Sequence, residues 1–146
     1  MRMTRIEAQT RYGLIKDGLW ADEEKHCITI QIPDRIARAV TNSITNRPWE
    51  RVYCNRDMAR PLIRALNNVV NEGILKELKT FDGCFNIRMT RGEPDKISAH
   101  AYAAAIDFNA LLNPLGEPSI WSPTFIRCFT EEGFVNGASF ARVDAQ

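Results

Sequence analysis

The sequence predicts an α+β domain, and three observations carry that prediction. Apolar residues alternate with period two in short stretches at 27–32, 83–89 and 104–109, the spacing of half-buried strands. They recur every three or four residues from Asp57 to about Leu78 and again from Ser122 to Gly133, the spacing of helices with one buried face. A chain of 146 residues, 45% hydrophobic and 25% charged, has the size and composition for one compact core. A few strands beside two separate helices place it in the α+β class.

Taken in order, residues 1–26 are polar and irregular, with turn signals at Tyr12-Gly13 and Asp17-Gly18, and are expected to form a peripheral arm on a core of residues 27–146. Cys27 to Ile32 is a strand with Ile28, Ile30 and Ile32 on one face, stopped by Pro33. Arg51-Val52-Tyr53-Cys54 is a second short strand. Met58, Leu62, Leu66, Val69 and Val70 then form the apolar stripe of the main helix, with Asp57 as its cap, Pro61 in its first turn and Gly73 bending or ending it before Leu78. Gly83 to Met89 is a strand with Phe85, Ile87 and Met89 on one face. A polar loop follows from Thr90 to Lys96. Ala104 to Asn109 is the next strand, in which Ala105, Asp107 and Asn109 share a face. Asn113-Pro114-Leu115-Gly116 is a turn. Ser122-Pro123 opens the second helix in the order cap, then proline; Phe125, Ile126 and Phe129 point inward and Gly133 stops it.

Composition excludes several classes of function. The formal charge is +1 with both signs interspersed, which is not the footprint of a nucleic-acid or membrane-surface binder. No apolar run approaches the roughly 18 residues of a membrane span. The N-terminus leads into polar sequence rather than an apolar signal core, so synthesis in a cytoplasm without a signal peptide is expected. Cys27, Cys54, Cys84 and Cys128 are widely spaced, and free, buried thiols are expected of them.

The chemistry-bearing residues are Arg88, His100, Asp107 and Asp144. One of only two histidines stands seven residues before a carboxylate, across small and apolar residues. An imidazole and a carboxylate so embedded suit two ligands of a metal at the edge of a core. A carboxylate nearby could take a proton from metal-bound water, and an arginine could hold a substrate carboxylate or an oxyanion. An Arg88–Asp107 ion pair without metal is the alternative for the same residues.

The stretch Cys84-Phe85-Asn86-Ile87-Arg88, then Arg91-Gly92, then Ser98 to Asn109, resembles the zinc D-Ala-D-Ala carboxypeptidase and L-alanyl-D-glutamate peptidase family, which includes vancomycin-resistance dipeptidases and phage endolysins. Ser98, His100, Ala105 and Asp107 match its Ser-x-His-x-x-Gly-x-Ala-x-Asp pattern, with Ala103 in place of the glycine. Gly133, Phe134, Gly137, Phe140 and Asp144 fall in register with its last motif, while Asn136 and Ala138 replace a Trp and a Gly. The likeness runs from about residue 28 to the end.

The resemblance implies a small antiparallel sheet with helices packed on one side, as in hedgehog signalling domains. It implies His100 and Asp107 as ligands of a zinc ion, Asp144 as general base, and Arg88 as the catalytic and substrate arginine. Ser98 and Tyr102 are placed on the substrate side. The family's last ligand, a histidine, would come directly after Gln146, with His26 a distant substitute. The implied activity is cleavage of peptidoglycan stem peptides by a monomer acting on the bacterial wall, released through a holin or carried in a virion, with no nucleic-acid or membrane partner. A non-catalytic descendant that binds cell wall or builds a virion is the alternative.

Overall fold

The computed structural model describes residues 4–87, 89–90, 93–114 and 117–137, with 89–90 and 93–97 described through their backbone. The domain is α+β, as expected, but built from smaller sheet pieces than the sequence suggests.

The N-terminal stretch is folded rather than irregular. Helix α1 spans Arg5–Tyr12 behind a capping box in which the Thr4 hydroxyl accepts from Glu7 N and the Glu7 carboxylate accepts from Thr4 N. The chain leaves α1 through Gly13, at φ 87°, where a Cβ would collide with the Asp22 carboxylate. Strands β1 (Ile15–Lys16) and β2 (Leu19–Trp20) form a hairpin around Asp17 and Gly18, both at positive φ, the requirement of a tight type I′ turn. A single turn, α2 (Glu23–His26), follows. Ala8, Tyr12 and Trp20 from this stretch are buried in the core. The helix leaves little periodic signal in the sequence, with barely two turns and only Ala8 and Tyr12 as an inward pair.

The Tyr12 hydroxyl donates to Asp57 Oδ2 at 2.8 Å, and Arg11 lies 3.0 Å from the same oxygen. Burial, and then this hydrogen bond, push the Tyr12 phenol from 10.0 up to about 12. A raised pKa favours the protonated form in the fold. The stabilisation is therefore present in full below about pH 10 and lost as pH rises towards 12. A Tyr12→Phe variant should show a smaller loss of stability across that interval in denaturant titrations; a loss as steep as the parent's would remove Tyr12 from the alkaline transition.

Strand β3 (Cys27–Gln31) pairs antiparallel with a later strand, Arg51–Asn55, from Cys27 opposite Asn55 to Gln31 opposite Arg51. Ile28 and Ile30 face the same way as Cys54 and Val52, but Ile28 stays 36% exposed on this two-stranded ribbon. Between the two strands lie α3 (Asp34–Ala39), which buries Ile36 and Ala37, and the hairpin β4 (Thr41–Asn42) and β5 (Arg47–Pro48), none of it expected. The strand Arg51–Asn55 is β6.

Helix α4 (Arg56–Asn71) is the core helix and buries Met58, Leu62, Ala65, Leu66 and Val69. Its cap is Asn55, whose Oδ1 accepts from Asp57 N at 3.0 Å; Asp57, expected as the cap, lies inside the helix. Pro61 is consequently in the second turn, not the first, and removes the donor that would have reached the Asp57 carbonyl. Gly73, at φ 73°, ends the helix, and the stretch expected to carry it on to Leu78 contains a 3-10 turn at Leu75–Glu77.

Strand β7 is Thr80–Gly83, earlier than the expected Gly83–Met89. Residues 84–87 are irregular because Asn86 N donates to His100 O at 2.9 Å instead of to a strand. Where a polar loop was expected, β8 (Met89–Thr90) pairs with β9 (Glu93–Ile97). The expected strand Ala104–Asn109 contracts to β10, Asp107–Phe108. The main sheet runs β10-β7-β4-β5 and is mixed: β4 and β7 are parallel, the outer pairs antiparallel. Helix α5 (Pro123–Thr130) begins as expected, with Ser122 Oγ accepting from Phe125 N at 3.1 Å, and packs on α4. Trp49 is wholly buried, stacked on Phe81 with ring centres 4.8 Å apart. All four cysteines are free and buried. Among the described residues no helix is long and apolar enough to cross a membrane.

Candidate metal centre

Two irregular pieces of chain meet at the end of the main sheet. One is Cys84–Asn86, directly after β7; the other is a 3-10 turn at Ala99–Tyr102. Ser98 caps that turn by accepting from His100 N at 3.3 Å. The turn closes on Ala103, at φ 53° and ψ 28°, in the left-handed region. Four contacts pin it from outside: Asn86 N to His100 O at 2.9 Å, Asn55 N to Ala103 O at 2.9 Å, Asn55 Nδ2 to Tyr102 O at 3.1 Å, and Cys84 Sγ to Ala103 O at 3.5 Å.

The His100 imidazole is thereby aimed. Its Nδ1 lies 2.8 Å from Cys84 O, and a carbonyl only accepts, so Nδ1 carries the proton. Nε2 then faces Asp107 Oδ1 at 3.2 Å, with the two side chains 12% and 25% exposed. In a neutral imidazole that nitrogen is a lone pair pointing at a carboxylate. The pair is satisfied either by a proton, making imidazolium, or by a cation between the two atoms. Two ligand atoms each about 2.1 Å from one zinc ion stand 3.2 Å apart at a ligand–metal–ligand angle of about 100°, near tetrahedral. A hydrogen bond from Nδ1 to a carbonyl is also the usual way a metal-bound histidine is oriented. The two residues fit zinc.

A cavity of about 200 Å³ opens beside the pair, lined by Ile44, Phe85, Asn86, His100, Asp107 and residues 82–84 at the end of β7. Neither remaining acid-type group completes a ligand set. The Asp82 carboxylate already accepts from Ser43 Oγ at 2.6 Å, Thr80 Oγ1 at 2.9 Å and Ala110 N at 2.8 Å. Burial pushes the Cys84 thiol well above its ordinary value, and its Sγ donates to Ala103 O at 3.5 Å. His26 packs its ring on Trp20 and Tyr12. Among the described residues no three His, Cys, Asp or Glu side chains form a metal-holding group.

The sequence thus placed His100 and Asp107 together, and they are together. Arg88 and Asp144 lie outside the described residues, as do Arg91, Gly92 and Phe140. Tyr102, placed on the substrate side, is instead fully buried, and its hydroxyl donates to Gly13 O at 2.9 Å. It fastens the N-terminal segment to the turn. Ser98 is 7% exposed and is absent from the cavity wall; it supports the turn. The residues missed are Asn55 and Cys84. Asn55 could have been found, since it stands immediately before the helical stripe in capping position; Cys84 acts partly through its carbonyl, which leaves no mark in a sequence. No protein-family model matches the chain, nor does any curated protein or solved structure.

Ala103 gives a test of the turn. A left-handed alanine carries about 1 kcal/mol of strain that glycine lacks, against roughly 0.8 kcal/mol for burying its methyl group. Ala103→Gly should therefore be close to neutral in urea unfolding. Ala65→Gly, equally buried but in the middle of α4, should cost about 2 kcal/mol. Equal costs at the two positions would contradict the left-handed turn.

Proposed function

We propose that the protein is a zinc-dependent peptidase that cleaves peptidoglycan stem peptides, a cell-wall hydrolase of the phage or prophage type. The observation that carries this reading is the His100 Nε2–Asp107 Oδ1 approach at 3.2 Å, with Nδ1 committed to a carbonyl, beside an open cavity. It is the pair that the Ser98–Asp107 motif singles out. Zinc held there would polarise a peptide carbonyl and make bound water acidic near neutral pH. His100 and Asp107 would hold the ion, and the Cys84 carbonyl would keep the imidazole in its ligating tautomer. Phe85 and Ile44 would exclude water from one side of a bound peptide. Asp144 as proton acceptor and Arg88 as partner of the substrate carboxylate belong to the same proposal through their register in the motifs.

The test is a zinc titration against a chromophoric chelator, paired with turbidity loss of purified cell-wall suspensions. Zinc binding that depends on His100, with wall hydrolysis, supports the reading. Zinc binding without hydrolysis would favour a wall-binding or virion protein that keeps the site alone. No zinc binding at all would sink the metal reading. Asp144→Asn should retain zinc and lower turnover by about 10²–10⁴-fold, the usual range for loss of a general base. Hydrolysis at the parental rate would assign the base elsewhere.

A further inference from the structure

Resting on His100 and Asp107 as ligands, we infer that Asn55 is the positioning residue of the site. It grips the peptide units of Tyr102 and Ala103 and so holds the left-handed turn that aims the His100 imidazole at Asp107. Asn55 is 1% exposed, and its backbone N–H, its Nδ2 and its Oδ1 each make a hydrogen bond. Its backbone N–H goes to Ala103 O at 2.9 Å and its Nδ2 to Tyr102 O at 3.1 Å, while its Oδ1 takes Asp57 N at 3.0 Å. Asn55 is itself immobile, because it is the last residue of β6 and the cap of α4.

The side-chain chemistry is specific. Aspartate would cap α4 equally well but would turn a carboxylate oxygen towards Tyr102 O, replacing an attraction by a repulsion. Serine would cap α4 but is too short to reach Tyr102 O. Only an amide serves both ends. The turn needs the help because Ala103 sits at φ 53°, where a Cβ is disfavoured. The connection to the imidazole is short. Ala103 N donates to His100 O at 3.1 Å, so a flip of the Tyr102–Ala103 peptide would rotate the residue whose Nδ1 is set against Cys84 O. Groups that orient a ligand in this way typically change metal affinity by about 10–100-fold when removed.

The experiment compares the full chain with Asn55→Asp, Asn55→Ser and Asn55→Ser combined with Ala103→Gly. Three measurements are made: ¹⁵N shifts of the His100 ring against pH without metal, zinc affinity, and thermal unfolding. Each variant should fold, and the two single variants should lose the single Nδ1–H tautomer of His100 and bind zinc about 10–100-fold more weakly. Glycine at 103 should restore both His100 readouts in the Ser background, because the turn then needs no outside grip. A purely structural role would lower unfolding temperature without moving the tautomer or responding to glycine. An unchanged His100 tautomer in both folded single variants overturns the inference, as does failure of Ala103→Gly to restore it. If the parent takes no zinc but its His100 tautomer follows Asn55, the metal reading fails and the positioning role stands.

Discussion

His100→Ala is expected to lower zinc affinity by about 10²–10³-fold and to abolish release of peptide from cell walls. The magnitude follows from a structural zinc site, where four ligands together supply roughly 10–16 kcal/mol; one ligand's share is about 2.5–4 kcal/mol. The geometry makes the loss hard to repair. Asp82 is already held by three donors and the Cys84 thiol donates to Ala103 O, so either neighbour would have to give up existing hydrogen bonds to replace it. His26→Ala is the informative control, because that ring packs on Trp20 and Tyr12 and should leave zinc affinity unchanged. Equal losses from the two histidines would mean that the imidazoles meet at a metal in solution, contrary to the arrangement described. No loss at His100 would remove it from the ligand set.

Asn109→Ala should cost about 3–5 kcal/mol of stability, the largest effect of a single side chain away from the apolar core. Asn109 is 3% exposed; its Oδ1 accepts from Lys79 N at 2.8 Å and Thr80 N at 3.0 Å, and its Nδ2 donates to Glu77 O at 2.6 Å. Truncation leaves two N–H groups and a carbonyl without their partner, at about 1–3 kcal/mol each where water does not replace it. It also puts alanine at φ 48°, where asparagine is better tolerated. Asn109→Asp keeps the acceptor for Lys79 and Thr80 but sets a carboxylate oxygen against Glu77 O, so it should destabilise as well. Urea midpoints measure both; a cost under about 1 kcal/mol for alanine would show that water replaces the amide. Because Asn109 is two residues from Asp107 and its N–H pairs with Thr80 O at 3.0 Å, the variant should also weaken zinc binding by loosening β10 against β7.

The parts of the fold legible in the sequence were those whose signal is local. Helix α5 declared itself through Ser122-Pro123 and Gly133, and α4 through Met58, Leu62, Leu66 and Val69, buried residues at helical spacing. The two-residue strands β4, β5 and β10 have no room for a period, and exist because Thr41 and Asn42 find Thr80 and Phe81 far along the chain. Residues 84–87 read as a strand because Phe85 and Ile87 alternate; the backbone of Asn86 was instead claimed by His100. His100 and Asp107 were legible because the motif carries both. The direction of Tyr102 was not legible, because nearness in sequence says nothing of where a side chain turns. At three residues per turn, side chains two apart in a 3-10 turn point to different sides, so Tyr102 faces the N-terminal segment while His100 faces the cavity.

The edge strand β5 has a consequence for how copies of this chain meet. Trp49 N turns inward to Val40 O at 2.9 Å, so the residue before it, Pro48, presents its nitrogen to the outside. That nitrogen has no hydrogen to offer. A second molecule approaching to add a strand along β5 would find a missing donor at one of only two positions, and the neighbouring Arg47, exposed and cationic, would meet its own kind. The sheet cannot be lengthened from this side. At this edge, contact between copies has to come through side-chain faces, and spectroscopic signs of growing β-structure on concentration would have to arise at other strand edges, such as β10 or the two-stranded β3–β6 ribbon, or from unfolded molecules.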